Sequence, residues 1–212
     1  MTTVVISDNT TGRDYTGSTD TFLHEDGGGN FGTETWITVS TYAVGDYNHG
    51  LIKFDGLSNI PSTATITSVT LELYQNVSDS SWDIALNAVL RNWVETQATW
   101  TIYSTGNSWT TAGATGSGDI TASASATVTV ANTLDQYYSF SSAQMATDVQ
   151  GWVTTPSSNY GWLLRPSGAP ALNGKQFVTS EGADDTRPKL TVVYTEGPPP
   201  RIIVPTVAVS MR

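Results

Sequence analysis

The chain has 212 residues, a formal net charge of −10 and only 13% charged residues, and it contains no cysteine. Disulfide bonds and thiolate chemistry are therefore excluded, and the acidic balance disfavours nucleic acid and anionic membranes as partners. The length fits one large all-β domain, and seven tryptophans among 38% hydrophobic residues can build a substantial core. The N-terminus has no basic region followed by an apolar run, so no secretory signal is predicted.

Alternation of apolar and polar residues with a period of two predicts strands along most of the chain. The apolar members of these sets are Ile37 and Val39; Val69, Leu71 and Leu73; Ile84, Leu86, Ala88 and Leu90; Val128 and Val130; and Leu190, Val192 and Tyr194. Turn residues such as Gly, Asn and Pro separate the sets. This pattern predicts an all-β, antiparallel β-sandwich or barrel.

One short helix is predicted to follow Ser141 or Ser142, either of which can cap it. Its apolar stripe consists of Met145, Val149, Trp152 and Val153. Pro156 is expected to end it. Before this helix, residues 106–126 are rich in Gly, Ser, Thr and Ala, which predicts a long surface loop.

The sandwich domain is predicted to span residues 1–195, followed by a Pro-rich spacer and an apolar arm at 196–212. Three prolines at 198–200 favour a stiff spacer. The apolar arm residues are Ile202, Ile203, Val204, Val207 and Val209. We expect the arm to add an edge strand to a neighbouring subunit. The alternative is that it folds back onto its own domain.

The order of several sequence blocks resembles the DNRLRE-domain family. The blocks are residues 51–55, 64–74, 93–100, 148–152, 159–162 and 187–190. The resemblance runs from Asp20 to Tyr194 and implies a jelly-roll sandwich similar to carbohydrate-binding modules. The stretch 179–188 keeps Ser180-Glu181 and Arg187-Pro188 but has no arginine between the serine and the glutamate.

Exposed aromatic rings are the side chains on which sugars stack, because C–H edges suit the electron-rich ring face. Four tryptophans that lie in the family-like blocks are predicted to be core residues: Trp93, Trp100, Trp152 and Trp162. The candidate carbohydrate-binding residues are Trp36, Trp82, Tyr103 and Trp109. Packing at the rim of the sandwich is the alternative for this second group.

Calcium is the cofactor considered, because jelly-roll binding modules often hold a structural calcium and the resemblance implies one here. The candidate ligands are Glu25, Asp26, Asp55, Glu181, Asp184 and Asp185. Hard cations bind clustered oxygen ligands, but no spacing matches an EF-hand loop. Solvated acidic loops are the alternative interpretation.

No nucleophile and base stand in a recognisable catalytic motif, so the protein is not expected to be an enzyme. The sequence favours a non-catalytic structural or decoration protein of a phage virion, in the capsid or tail, that contacts glycans. In the alternative, it is an extracellular carbohydrate-binding module from a secreted or cell-surface polysaccharide-processing protein. The expected partners are other virion proteins, further copies of the chain, and polysaccharide.

Overall fold

The computed structural model describes residues 1–6, 17–42 and 45–197. In chain order its strands are β1 (Thr2–Ile6), β2 (Ser18–His24), β3 (Trp36–Thr41), β4 (Tyr47–Phe54), β5 (Thr65–Ser78), β6 (Trp82–Ala88), β7 (Ile102–Ser104), β8 (Asn107–Ser108), β9 (Ala126–Val130), β10 (Gln136–Ser141), β11 (Trp162–Ser167), β12 (Gly174–Val178) and β13 (Lys189–Thr195). The helix α1 spans Ala143–Thr154, and 3₁₀ turns lie at Asp55–Asn59 and Pro156–Ser158. None of the helices in these ranges combines the length and the apolar character that a membrane-spanning helix needs.

Eleven of these strands form one antiparallel sheet that curls into a sandwich, as predicted. Its order is β1-β13-β5-β12-β3-β4-β11-β6-β9, with β10 paired to β5 and β2 paired to β4. One layer therefore contains β1, β13, β5 and β10, and the other contains β2, β4, β11, β6 and β9. The β12–β3 pair joins the layers, and the main hydrophobic core lies between them.

The register of β5 shows how the apolar alternation builds this core. Leu71 on β5 lies opposite Phe140 on β10 and Leu190 on β13, and all three side chains are fully buried. Burial of a large apolar side chain contributes roughly 1.5–3 kcal/mol, so such cross-strand sets stabilise the layer. Leu90 was predicted to continue the apolar face of β6, and this was wrong: it lies beyond the end of β6 and is 46% exposed.

The predicted helix is confirmed with its cap. The backbone N–H of Met145 donates to the Ser142 hydroxyl oxygen at 2.9 Å, and the helix ends at Thr154. Its buried residues are Met145, Val149, Trp152 and Val153. The rings of Trp152 and Trp162 meet edge to face with centroids 4.6 Å apart, so the helix packs against β11. The predicted assembly arm lies outside the described residues, and its role stays a prediction.

Two glycines, Gly161 and Gly151, provide a matched test of how closely the chain packs around each position. Gly161, which precedes β11, has φ +69°, and a Cβ there would overlap the carbonyl oxygen of Ile52. Gly151 lies exposed in α1, with nothing within 4 Å of its ideal Cβ. We expect Gly161→Ala to lower the free energy of unfolding by about 3 kcal/mol. Gly151→Ala should raise it by about 0.5–1 kcal/mol, because alanine favours a helix. Urea denaturation measures the free energy of unfolding of both variants. Equal effects of the two substitutions would contradict the close backbone packing at Gly161 and the open space at Gly151.

Candidate functional site

The layer that contains β4 and β11 is apolar on both faces. Ile52 and Leu164 belong to the main core, whereas the preceding residues Leu51 and Leu163 lie on the opposite face and are also fully buried. Leu51 and Leu163 are paired across the two strands. Adjacent apolar residues are typical of strands buried on both faces. A second cover over this layer is therefore required.

Residues 89–125, named here the covering loop, provide that cover. The loop carries its own buried apolar side chains: Val89, Trp93, Ala98, Trp109, Ala114 and Ile120. They form a second hydrophobic cluster with Leu23, Leu51 and Leu163. The prediction of a plain surface loop at 106–126 was therefore incomplete, because this stretch also supplies part of a core.

Asp119 organises the polar part of the covering loop. Its buried carboxylate accepts hydrogen bonds from the backbone N–H groups of Thr110, Thr111 and Gly116 at 2.8, 2.9 and 3.2 Å. Burial alone would raise the pKa of Asp119, but these hydrogen bonds outweigh it and hold the pKa below its ordinary value. The carboxylate thus stays ionised at neutral pH and fixes the loop backbone.

A cleft of about 390 Å³ lies between the covering loop and strands β3, β4 and β11. Its walls include Tyr47 and His49 from β4, Trp100 and Thr115 from the covering loop, and Arg165 from β11. Leu164 pairs with Gly50, so the next residue of β11 and the preceding residue of β4 lie side by side. The sheet therefore brings His49 and Arg165 together at the cleft.

His49 contributes an imidazole with a fixed tautomer to the cleft wall. Its Nδ1 lies 2.7 Å from the carbonyl oxygen of Gly113, and because a carbonyl only accepts, Nδ1 carries the proton. Burial lowers the pKa of His49 to about 4; the hydrogen bond to Gly113 opposes this shift and the charge of Arg165 adds to it. The ring is therefore neutral at pH 7, and its Nε2 holds a lone pair with no partner among the described residues.

Trp100 is held in place from two sides. Its ring centroid lies 5.0 Å from that of His49. Gly113 has φ +78°, and a Cβ there would come within 2.6 Å of the indole. The next residue, Ala114, is fully buried and also left-handed, with φ 60°. Such strained backbone persists where its surroundings fix it, so the indole forms a preorganised wall of the cleft.

Arg165 is a cation without a carboxylate partner. Its Nε donates to the Asn87 side-chain oxygen at 2.9 Å, and the Asn87 amide in turn donates to the carbonyl oxygen of Thr121 at 2.9 Å. No Asp or Glu among the described residues lies within ion-pair distance of its guanidinium. The terminal NH₂ groups of Arg165 are therefore available as charged donors in the cleft that Trp100 also lines.

The predicted carbohydrate-binding residues do not form a common surface. Trp82 and Trp109, expected to be exposed, are only 4% and 5% exposed, so this expectation was wrong. Trp82 opens β6 two residues before Ile84 and faces the main core with it. Trp109 packs in the second cluster, with its ring 5.4 Å from that of Tyr103. Trp36 and Tyr103 are half-buried, and none of the four lines the cleft.

The aromatic side chain that lines the cleft belongs instead to the group predicted to be core. Trp93, Trp152 and Trp162 are buried as predicted, but Trp100 is half-buried and lines the cleft. His49 and Arg165 were not singled out by the sequence reasoning. The period-two alternation of the strands was the available signal. His49 lies two residues before Leu51 and Arg165 lies two residues after Leu163, so each projects from the same strand face as that leucine.

The predicted calcium ligands do not form a ligand set. They lie in three separate places: Glu25 and Asp26 after β2, Asp55 after β4, and Glu181, Asp184 and Asp185 before β13. Asp184 is paired with Arg187 at 2.9 Å. Within residues 1–6, 17–42 and 45–197, no group of three or more His, Asp or Glu side chains is placed to hold a metal ion. Calcium binding by these residues stays a prediction.

One of these residues, Glu181, lies near a buried carboxyl group that the sequence reasoning missed. Asp20 on β2 is 1% exposed; its Oδ2 accepts from the Ser180 backbone N–H at 3.1 Å, and its own N–H donates to Glu95 at 2.9 Å. Burial raises the pKa of Asp20 to about 8, and the charges of Glu181 and Glu95 add to this shift. Its Oδ1 has no partner among the described residues, and the carboxyl is therefore protonated at neutral pH.

Comparison with known proteins gives one family match. The model of carbohydrate-binding module family 96 matches residues 13–102, which is less than half of the chain. The matched range includes Tyr47, His49 and Trp100 of the cleft and ends before Arg165. A search of curated proteins finds no match. The chain is thus similar to a carbohydrate-binding module over this range. The resemblance to the DNRLRE family is not confirmed.

The buried carboxyl of Asp20 predicts a distinctive pH dependence of stability. The folded state keeps the Asp20 proton up to about pH 8, whereas the unfolded state releases it near the ordinary value of 3.8. As the pH rises from 3.8 to about 8, the contribution of Asp20 to the free energy of unfolding should therefore decrease, by at most about 1.4 kcal/mol per pH unit. We expect Asp20→Asn to flatten this slope and to be more stable than wild type at pH 8. Urea denaturation at pH 5 to 8 measures it, and an unchanged slope would refute the assignment.

Proposed function

We propose that this protein is a non-catalytic carbohydrate-binding module and that its ligand binds in the cleft between Trp100 and Arg165. The observation that carries the proposal is the pairing of a rigid aromatic wall with a cation that has no carboxylate partner. The match to carbohydrate-binding module family 96 over residues 13–102 supports the same function.

The cleft offers the three kinds of contact that a sugar unit requires. The indole of Trp100 suits the C–H face of a pyranose ring. Arg165 donates hydrogen bonds, and Nε2 of neutral His49 accepts one, so a hydroxyl can be bound in either role. A mostly apolar pocket with a few placed polar groups is the usual form of a small-molecule site.

Arg165 favours an acidic polysaccharide as the ligand. A guanidinium binds a carboxylate or a sulfate through paired, charge-assisted hydrogen bonds, which are roughly twice as strong as neutral ones. The net charge of −10 opposes the approach of a polyanion. That long-range effect is screened beyond about 10 Å at moderate salt, whereas the contact with Arg165 is local.

A binding role without catalysis also agrees with the composition of the cleft. Glycoside hydrolysis generally uses two carboxylates that flank the scissile bond, and no Asp or Glu lines this cleft in the described part of the chain. The family comparison favours the carbohydrate-binding alternative over the virion role. The virion role depends on residues 202–209, outside the described residues. Both the virion and the extracellular location stay predictions.

The proposal is tested by affinity electrophoresis against three acidic polymers, polygalacturonate, alginate and hyaluronan, and three neutral ones, xylan, galactan and mixed-linkage β-glucan. We expect at least one acidic polymer to retard the wild-type protein. Arg165→Gln should weaken binding about tenfold or more, because a lost hydrogen bond to a charged group is worth about 1.5–3 kcal/mol. Trp100→Ala should weaken it by about the same factor, because it removes the ring face on which the sugar packs. The affinity of Arg165→Lys should lie between those of the wild-type protein and Arg165→Gln, because lysine keeps the charge but lacks the planar guanidinium.

Trp36→Ala is the control, because Trp36 is a half-buried aromatic residue that does not line the cleft. It should bind as wild type does, and circular dichroism should show the same strand content for every variant. If no polymer retards the wild-type protein, or if Trp36→Ala abolishes binding and Trp100→Ala does not, the proposed function or its site is wrong.

A further inference from the structure

A second pocket adjoins the cleft at Arg165. This side pocket, of about 360 Å³, is lined by Asn87, Gly116, Ser117, Ile120, Thr121 and Ala122. Arg165 and Thr115 line both spaces, so these two side chains stand between them. Each space exceeds the roughly 300 Å³ at which small-molecule sites begin.

The walls of the side pocket are fixed by hydrogen bonds and packing. Asn87 is 1% exposed and bridges Arg165 and the backbone of Thr121. Ile120 is 7% exposed and belongs to the second hydrophobic cluster. The N–H of Gly116 is held by the Asp119 carboxylate. A ligand would find this pocket already formed, which lowers the ordering cost of binding.

Both outer walls of the combined space reach solvent. Ala112 and Gly168 are exposed on the cleft side, and Ser117 and Ala122 are exposed on the side-pocket side. Arg165 stands between the two spaces, where it can donate to groups on either side. A bound chain can therefore enter at one side and leave at the other, whereas recognition of a chain end needs one closed wall.

We infer that the cleft and the side pocket form one groove that binds an internal stretch of polysaccharide, with consecutive sugar units on the two sides of Arg165. The inference rests on the proposed function and adds the length and the internal position of the segment that is bound. The side pocket then supplies contacts that a single sugar unit in the cleft does not use.

The test uses oligosaccharides of two to six units cut from the panel polymer that binds the wild-type protein most tightly. Isothermal titration calorimetry should show affinity rising about tenfold from two to four units and then levelling off. Ser117→Trp fills the side pocket, so it should remove this gain and bind four to six units no more tightly than the wild-type protein binds two. Ser139→Trp, an exposed serine on β10 outside both spaces, is the matched control and should behave as wild type.

A second measurement separates internal from terminal binding. The amount of protein bound at saturation should follow the mass of polymer, and partial shortening of the polymer should not increase it. Equal affinities at all lengths, full affinity of Ser117→Trp for six units, or saturation that rises with the number of chain ends would each overturn the groove. These outcomes leave the proposed function intact, whereas failure of every panel polymer to bind removes the function itself.

Discussion

A sheet layer that is apolar on both faces has to be covered twice, and the rest of this structure depends on that constraint. The main core covers one face of β4 and β11, and the covering loop covers Leu51 and Leu163 on the other. An irregular segment leaves backbone and side-chain polar groups that need partners when it is buried. Asp119 binds three backbone N–H groups, and the indoles of Trp93 and Trp109 donate to the carbonyl oxygens of Tyr160 and Thr99 at 2.8 and 2.9 Å.

The edge of this cover determines where the cleft lies. On β4, the same strand face changes from the covered Leu51 to His49 within two residues. On β11, it changes from the covered Leu163 to Arg165 over the same distance. Both polar side chains therefore project from strands of a packed sheet, and a site on rigid elements keeps its geometry better than a site on loops alone. The covering loop adds Trp100, Ala112 and Thr115.

The electrostatics of the molecule single out Arg165. Buried carboxyl groups are compensated in different ways: Asp119 is ionised and held by N–H donors, whereas Asp20 stays protonated. Arg165 is instead bound by the neutral amide of Asn87, which orients its guanidinium without neutralising the charge. An oriented charge beside an aromatic wall is suited to a polar ligand with an apolar face, as a sugar is.

Local patterns in the sequence determined the strands, the helix and its cap, because period-two alternation and the Ser142 cap depend on residues close together in the chain. The site was not determined in this way. Trp100 lies in a family-like block and was assigned to the core. Only the tertiary packing leaves its ring half-buried, where it lines the cleft. Likewise, His49 and Arg165 are far apart in sequence and meet only through the β4–β11 register, which local alternation does not specify.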